Sequence, residues 1–209
     1  SRGLGDVYKR QFSAAATSTI AVTAASDAPV AADAGATLAF TGGDGASVID
    51  ATLTLTDVDD TNLESATVQI TGGHQSAEDV LGFTNQSGIT GSYNSGTGTL
   101  TLSGSATKAQ YETALESVTY NNTSDTPNTG NRTVTWIVND GDTGSTAITS
   151  TITVAVANDA PTVSGNDATL AYTENDGAVL IDSTLSLADV DNANLAGATI
   201  TISSGFRAG

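Results

Sequence analysis

The 209-residue chain has no cysteine and no methionine. The first absence excludes disulfide staples and thiolate metal sites. The second extends to an initiator, so the chain reads as an internal stretch of a longer protein. Positive charge is scarce: six Lys and Arg stand against 23 Asp and Glu, for a formal net charge of −17. Beyond residue 11 the cations are Lys108, Arg132 and Arg207, whereas every acid but Asp6 remains. Phosphate recognition needs clustered Lys and Arg, so nucleic acid is excluded as a partner, and anionic membranes are disfavoured for the same reason. No apolar run is long enough to cross a bilayer, which excludes membrane insertion by a helix. Aromatic residues make up 5% of the chain, and His74 is its one histidine. It lies in the polar stretch Gly72-Gly73-His74-Gln75, where solvation is its expected fate. Neither a Ser-His-Asp constellation nor any other catalytic set can be built around it, so no enzyme is expected.

What the chain does have is itself, twice. Segment 27–70 returns without a gap at 159–202, an offset of 132 residues from Asp27 to Asp159. Asp27-Ala28-Pro29 maps onto Asp159-Ala160-Pro161, Asp44-Gly45 onto Asp176-Gly177, and Ile49-Asp50 onto Ile181-Asp182. The match also runs backwards, since Thr19-Ile20-Ala21-Val22 sits where Thr151-Ile152-Thr153-Val154 sits one copy later. Such self-similarity marks a tandem array. The expected organisation is the last strand of a preceding repeat over 12–26, a complete repeat over 27–158, and a truncated start of the next over 159–209. Residues 1–11 stand apart: Asp6-Val7-Tyr8-Lys9-Arg10-Gln11 reads as the in-frame translation of a sequencing adapter and is set aside from fold reasoning.

Within one copy the strand signal is strong. Leu38 and Phe40, Leu53 and Leu55, Ala66-Val68-Ile70, Leu100 and Leu102, and Val134-Trp136-Val138 each alternate mainly with Thr. Successive strand residues point to opposite faces, so each run has one apolar face and one Thr-rich face. Gly-, Asn- and Asp-rich stretches separate the runs, and Asn94-Ser95-Gly96-Thr97-Gly98 reads as a hairpin turn between 89–93 and 99–103. One segment differs. Tyr111, Leu115 and Val118 are spaced i, i+4, i+7, and Thr107 with Gln110 fits a capping box, which predicts a short helix over 107–116 followed by a strand near 117–121. Short strands at regular spacing predict an all-β, antiparallel Greek-key sandwich with one short helix, Trp136 anchoring its core.

The acids collect in turns. Asp57-Val58-Asp59-Asp60 follows a strand and recurs as Asp189-Val190-Asp191-Asn192. In extended chain, residues i and i+2 share a side, so Asp57 and Asp59 are expected to project together. Two such carboxylates about 4 Å apart repel by roughly 1 kcal/mol in water and by more when partly buried. A cation between them relieves this, and hard oxygen donors favour Ca²⁺. The bland reading is a solvated acidic turn that aids solubility. The junction Asn158-Asp159-Ala160-Pro161, with Asp27 at its earlier counterpart, offers side-chain oxygens between neighbouring repeats, where a bound cation would set their angle; the alternative is a plain linker. Asn139-Asp140-Gly141-Asp142 suits a calcium loop and a hairpin turn equally. Counting from Asp57 fails the EF-hand pattern, which needs Gly at position six and Glu at twelve but meets Asn62 and Val68. Glu78-Asp79 is a carboxylate pair, but adjacent strand residues face opposite ways, so structural or calcium use is expected over glycosidase chemistry. Asn121, Asn122 and Asn131 lie in sequons.

Leu55-Thr56-Asp57-Val58-Asp59, Asp79-Val80-Leu81, Gly88-Ile89-Thr90-Gly91, Trp136-Ile137-Val138-Asn139-Asp140-Gly141 and Asn158-Asp159-Ala160-Pro161 together resemble the cadherin-like and VCBS-type tandem repeats of large bacterial RTX and biofilm-associated adhesins. That resemblance implies an extracellular or cell-surface stalk, stiffened by Ca²⁺ and without catalysis. Its partners would be neighbouring repeats, with surface or matrix glycans engaged through other domains. The implied ligands are Asp57, Asp59, Asn158, Asp159, Asp189 and Asp191; Glu174 would suit an interdomain role, although its counterpart is Gly42. The alternative function is a carbohydrate-binding β-sandwich module of a secreted multidomain protein. It requires exposed aromatics, with Phe83 and Tyr93 the side chains to examine.

Overall fold

The computed structural model describes residues 14–23, 25–32, 35–165, 169–205 and 207. The adapter-like residues 1–11 lie outside the described residues. The elements are β1 (Val30–Ala32), β2 (Thr37–Thr41), β3 (Ser47–Val48), β4 (Thr54–Thr56), β5 (Asn62–Gly72), β6 (Asp79–Gly82), β7 (Thr90–Asn94), β8 (Thr99–Thr107), α1 (Lys108–Glu116), β9 (Thr119–Asn122), β10 (Arg132–Asn139), β11 (Ile148–Ala155), β12 (Thr162–Ser164) and β13 (Ser186–Ala188). The chain is all-β with one short helix, as the alternation of apolar residues and Thr predicts.

A six-stranded sheet runs in the order β2-β11-β10-β5-β8-β7, and a three-stranded sheet in the order β3-β9-β6. β1 pairs with β4 separately. All pairs are antiparallel except β2 with β11, which run parallel from Thr37↔Thr151 to Thr41↔Ala155. The core lies between the two larger sheets. Val68, Leu100, Leu102, Val134, Trp136 and Ile152 from one meet Leu81 and Tyr120 from the other, all essentially inaccessible to solvent. The Phe40 and Tyr120 rings meet edge to face across the layers, their centroids 5.0 Å apart. Trp136 donates its indole N–H to Ser150 Oγ at 3.0 Å, which satisfies the one polar atom this side chain brings inside.

The helix forms where the capping box places it. Thr107 Oγ1 accepts the Gln110 N–H, and Gln110 Oε1 accepts the Thr107 N–H. Tyr111, Ala114 and Leu115 form its buried face. The Asn94–Gly98 turn joins β7 to β8 as expected, with Asn94 Oδ1 accepting the Gly96 N–H at 3.0 Å. Gly104 interrupts β8 at φ +134°, and a Cβ there would meet the Gly88 carbonyl oxygen at 2.4 Å, so no other residue fits without moving the backbone.

The sheets are also tied together by a buried ion pair. Arg132 on β10 is 0% exposed and Asp79 on β6 is 1% exposed. Arg132 Nε donates to Asp79 Oδ2 at 3.0 Å, and Nη2 donates to Oδ1 at 3.1 Å. Asp79 Oδ1 also accepts from the Tyr120 hydroxyl at 2.7 Å and Asn122 Nδ2 at 3.1 Å, while Oδ2 takes the Gln75 N–H at 2.8 Å. Arg132 Nη1 reaches the carbonyls of Asn128 and Gly130. Burial works against the guanidinium charge, and the hydrogen bonds and charge of Asp79 more than offset it, leaving the Arg132 pKa raised. Glu78 and Asp79 therefore do structural work: Asp79 sits in the core, and Glu78 Oε2 accepts from the Asn128 N–H and Asn122 Nδ2.

The second copy keeps the local structure of the first without its core. β12 pairs with β13 from Thr162↔Ala188 to Ser164↔Ser186, which is the β1–β4 register of Val30↔Thr56 to Ala32↔Thr54 displaced by one repeat. Its apolar residues stay exposed, among them Leu180, Ile181, Leu185, Leu187, Ile200 and Ile202. Residues 14–23, expected as a strand, are exposed and have no strand pairing. A strand needs a neighbour to satisfy its backbone, and none of the described residues supplies one.

Removing one partner of a buried ion pair leaves the other charge without compensation. Arg132→Ala or Asp79→Ala is expected to lower stability by about 3–5 kcal/mol. Urea denaturation of the full chain, with the slope held constant, checks this.

Candidate metal centre

The acidic turn after β4 is not extended. Asp57 Oδ1 accepts the N–H groups of Asp59 at 3.1 Å and Asp60 at 2.8 Å, so its carboxylate folds back over its own turn. This is the turn habit of Asp, whose short side chain satisfies the backbone two or three residues on. Asp57 and Asp59 take different hydrogen-bond partners, because the turn is not the extended chain that the i, i+2 rule assumes. Asp59 instead accepts the Asp27 N–H through both oxygens, at 3.3 and 3.2 Å. It ties the acidic turn to the linker that precedes β1.

The carboxylates that do come together are those of Asp57, Asp60 and Asp140, each offering an oxygen within 4.8 Å of the others. Asp140 arrives from the loop after β10. That loop is a tight turn, with Asp140 Oδ1 accepting the N–H groups of Asp142 and Thr143, both at 2.7 Å. The two readings of Asn139-Asp140-Gly141-Asp142 thus merge: the segment is a turn, and the same turn delivers a carboxylate to the first acidic cluster. β5 and β10 pair from Gly72↔Thr133 to Asn139↔Ser65, which brings the start of one strand beside the end of the other. Spacing along the chain gives no hint of this meeting. Asp142 itself is exposed.

The electrostatics of the cluster are unbalanced. Partial loss of water, then the charges of Asp59, Asp57 and Asp140, push the Asp60 carboxyl up, opposed by a long hydrogen bond from Ser26 Oγ. The Thr143 N–H, with further help from the Asp142 N–H and the Thr143 hydroxyl, holds Asp140 down despite its partial desolvation. Asp57 Oδ2 is shielded from solvent and has no hydrogen-bond partner. Lys108, at the first turn of α1, does not reach these carboxylates as an ion pair. Its Nζ donates to the backbone carbonyls of Asp57, at 2.9 Å, and Asp60. It holds the loop from behind and leaves the acidic face open. Lys108 is the first helical residue, between Thr107 and Gln110 of the capping box, and nothing in the local pattern signals its reach to the acidic turn.

The second copy repeats the turn. Asp189 Oδ1 accepts the N–H groups of Asp191 at 3.0 Å and Asn192 at 2.7 Å, and Asp191 Oδ2 accepts the Asp159 N–H at 2.5 Å. Asp191 Oδ1 is shielded and without a partner, like Asp57 Oδ2 in the first copy. At the junction, Asn158 Oδ1 accepts from Asn192 Nδ2 at 3.1 Å, and Asn158 Nδ2 donates to the Asp159 carbonyl at 3.0 Å. Asp159 and Asp189 line one cavity together with Asp125, which the sequence did not single out. Glu174 lies apart on an exposed turn, in which Asp176 Oδ2 accepts the Thr173 N–H at 2.9 Å. His74 is half-buried, with its ring packed under Gly98.

Comparison with known proteins adds a coarse placement. The chain is 41% identical over 86 residues to halomucin of Haloquadratum walsbyi (strain DSM 16790 / HBSQ001). The match covers 39% of this chain and 1% of halomucin, so the chain spans a small fraction of the relative's length. No family model matches the chain, and no solved structure matches it. Among the described residues, no helix is long and apolar enough to cross a membrane. An all-β segment similar to a small part of a very long protein is what fold and comparison together define.

Without a cation, Asp60 is the strained member of the cluster. Its raised carboxyl means that the folded state binds that proton more tightly than the unfolded chain does. The cost is present at pH values above the folded pKa and is relieved as pH falls through it. Asp60→Asn should therefore raise the unfolding midpoint in chelator at pH 7, and the advantage over wild type should shrink as pH is lowered towards 4. Parallel thermal melts across that range check the sign.

Proposed function

We propose that this chain is a non-catalytic, calcium-rigidified spacer segment of a large secreted or cell-surface protein. The observation that carries the reading is the meeting of Asp57, Asp60 and Asp140, with Asp57 Oδ2 buried and unpartnered. The donors are all carboxylate oxygens, which suits a hard divalent cation and gives a transition metal no nitrogen or sulfur ligand to prefer. The residues present therefore fit Ca²⁺. Ca²⁺ at Asp57, Asp60 and Asp140 would join the loop after β4 to the loop after β10. Asp59 and Asp191, which hold the linker N–H groups of Asp27 and Asp159, would pass that rigidity on to the junctions.

The similarity to part of halomucin, of whose length the match covers 1%, supports a structural role within a very long protein. The alternative, a sugar-binding module, loses its candidate residues. Phe83 and Tyr93 pack against the core, and the Tyr93 hydroxyl donates to the Asp79 carbonyl at 2.8 Å. Both rings are half-buried, which leaves less area for stacking on a sugar than a fully exposed ring offers.

A ligand bound only by the folded state adds about 2.7 kcal/mol of stability at a hundredfold excess over Kd. The thermal midpoint of the full chain should rise by several degrees from chelator to millimolar Ca²⁺. Asp57→Asn and Asp140→Asn should each remove most of that rise, read as the difference between the chelator and Ca²⁺ midpoints of the same variant. A midpoint indifferent to Ca²⁺ would overturn the reading.

A further inference from the structure

We infer that the outer face of the six-stranded sheet is a docking surface for the same face of a second copy of this chain, so that two copies pack side by side. All six strands lie between Thr37 and Ala155, inside the complete repeat. Their inward side chains belong to the core, and the register fixes what points outward. Ile137, Thr67, Thr101 and Ser92 stand side by side across β10, β5, β8 and β7. On either side of this row, from β2 to β7 and past the bulge in β5, the outward positions are Thr, Ser, Asn, Gln and Ala. None of them is Asp, Glu, Lys or Arg, in a chain of formal charge −17. The side chains of this face are exposed or half-buried, and Ile137, near the middle of the sheet, is 37% exposed.

Charge, chemistry and shape together point to a second copy as the occupant. Asp59 and Asp142 are exposed in turns beyond the strand ends, and two copies repel where such turns meet. Packing face to face leaves these acids at the rim, where water and salt screen them. A hydroxyl both donates and accepts, so a lattice of Thr and Ser is complementary to its own copy with no opposite charge required. Sheets twist with a fixed hand, and two equally twisted sheets pack face to face at about −30°, a match that a flat surface cannot make. The face also holds no aromatic ring on which a sugar could stack. Six strands about 4.8 Å apart, each with about 20 Å of outward residues, cover roughly 550 Å² per copy. The total of roughly 1,100 Å² lies at the lower bound for a specific interface, so one pair of repeats associates weakly and further repeats in an array add through effective concentration. The same patch serves both copies, so the contact is two-fold and closes. The inference is independent of the calcium reading.

Sedimentation equilibrium of the full chain in chelator, over a concentration series, reads the association. Wild type should form a reversible dimer, roughly tenfold tighter at about 1 M than at about 0.1 M salt, as the net charge of each copy is screened. Thr67→Lys with Thr101→Lys, and Thr67→Glu with Thr101→Glu, place like charges at the centre of both faces, so each double variant alone should stay monomeric. Mixed in equal amounts the two should dimerise again, because opposite charges then meet, and that rescue also shows that both fold. Val80→Lys, on the outward side of β6 in the other sheet, should leave the dimer unchanged. Without any substitution, the amide NMR signals that move with concentration should be those of β10, β5 and β8, not those of β6 and β9. A wild type monomeric at every concentration and salt, a dimer indifferent to both charge pairs, or moving signals confined to β6 and β9 would each refute the contact. Binding of a neutral polysaccharide by monomeric wild type, lost in both double variants, would refute it too and assign the face to a glycan.

Discussion

Positive charge is the scarce resource on which this structure turns. Arg132 is enclosed in the core, where Asp79 and two backbone carbonyls take up its donors. Lys108 is committed to the carbonyls behind the acidic turn. Neither cation is left to neutralise the surface. The carboxylates of the turns must then be accommodated by hydrogen bonds from their own backbone, by protonation, or by ions from solution. The first accounts for Asp57 Oδ1 and Asp140, the second is the direction in which Asp60 is pushed, and the third is the proposed role of Ca²⁺.

The buried pair has a division of labour with the hydrophobic core. Apolar burial supplies most of the driving force, but it is indifferent to direction. The Arg132–Asp79 network is directional and joins one strand from each sheet, with every charged donor and acceptor given a partner. Such networks specify an arrangement more than they stabilise it. The Tyr120 hydroxyl and Tyr93 hydroxyl serve the same region, so two of the few aromatic side chains are committed to this network.

The duplicated segment provides an internal comparison of local and tertiary forces. The Asp57 and Asp189 turns form the same hydrogen bonds, as do the Asp50 and Asp182 turns to Thr52 and Thr184. Yet one copy surrounds a core and the other does not. Turn geometry is therefore set within a few residues, by side chains that bond their own backbone. The β2-type strand behaves differently, since it needs a neighbour. At 37–41 it pairs with β11, and at 169–173, with nearly the same residues, it is unpaired.

That contrast divides what the amino-acid order alone determined from what only tertiary structure decided. The alternation of Leu, Val and Ile with Thr was enough to place β2, β5, β8 and β10, and Thr107 with Gln110 was enough to start α1. These signals are local, and local physics enforces them. The short strands β1, β3 and β6 were not legible, because two to four residues carry no period and depend on the strands they join. The acidic turns were legible as candidate ligand groups, but their partners were not. Asp57 was expected beside Asp59, its neighbour in sequence, and was found beside Asp60 and Asp140. The Asp57 turn curls because its side chain bonds its own backbone, and the β5–β10 pairing delivers Asp140 from 80 residues away. Contacts of that kind arise only when two loops are carried to the same edge of a sheet.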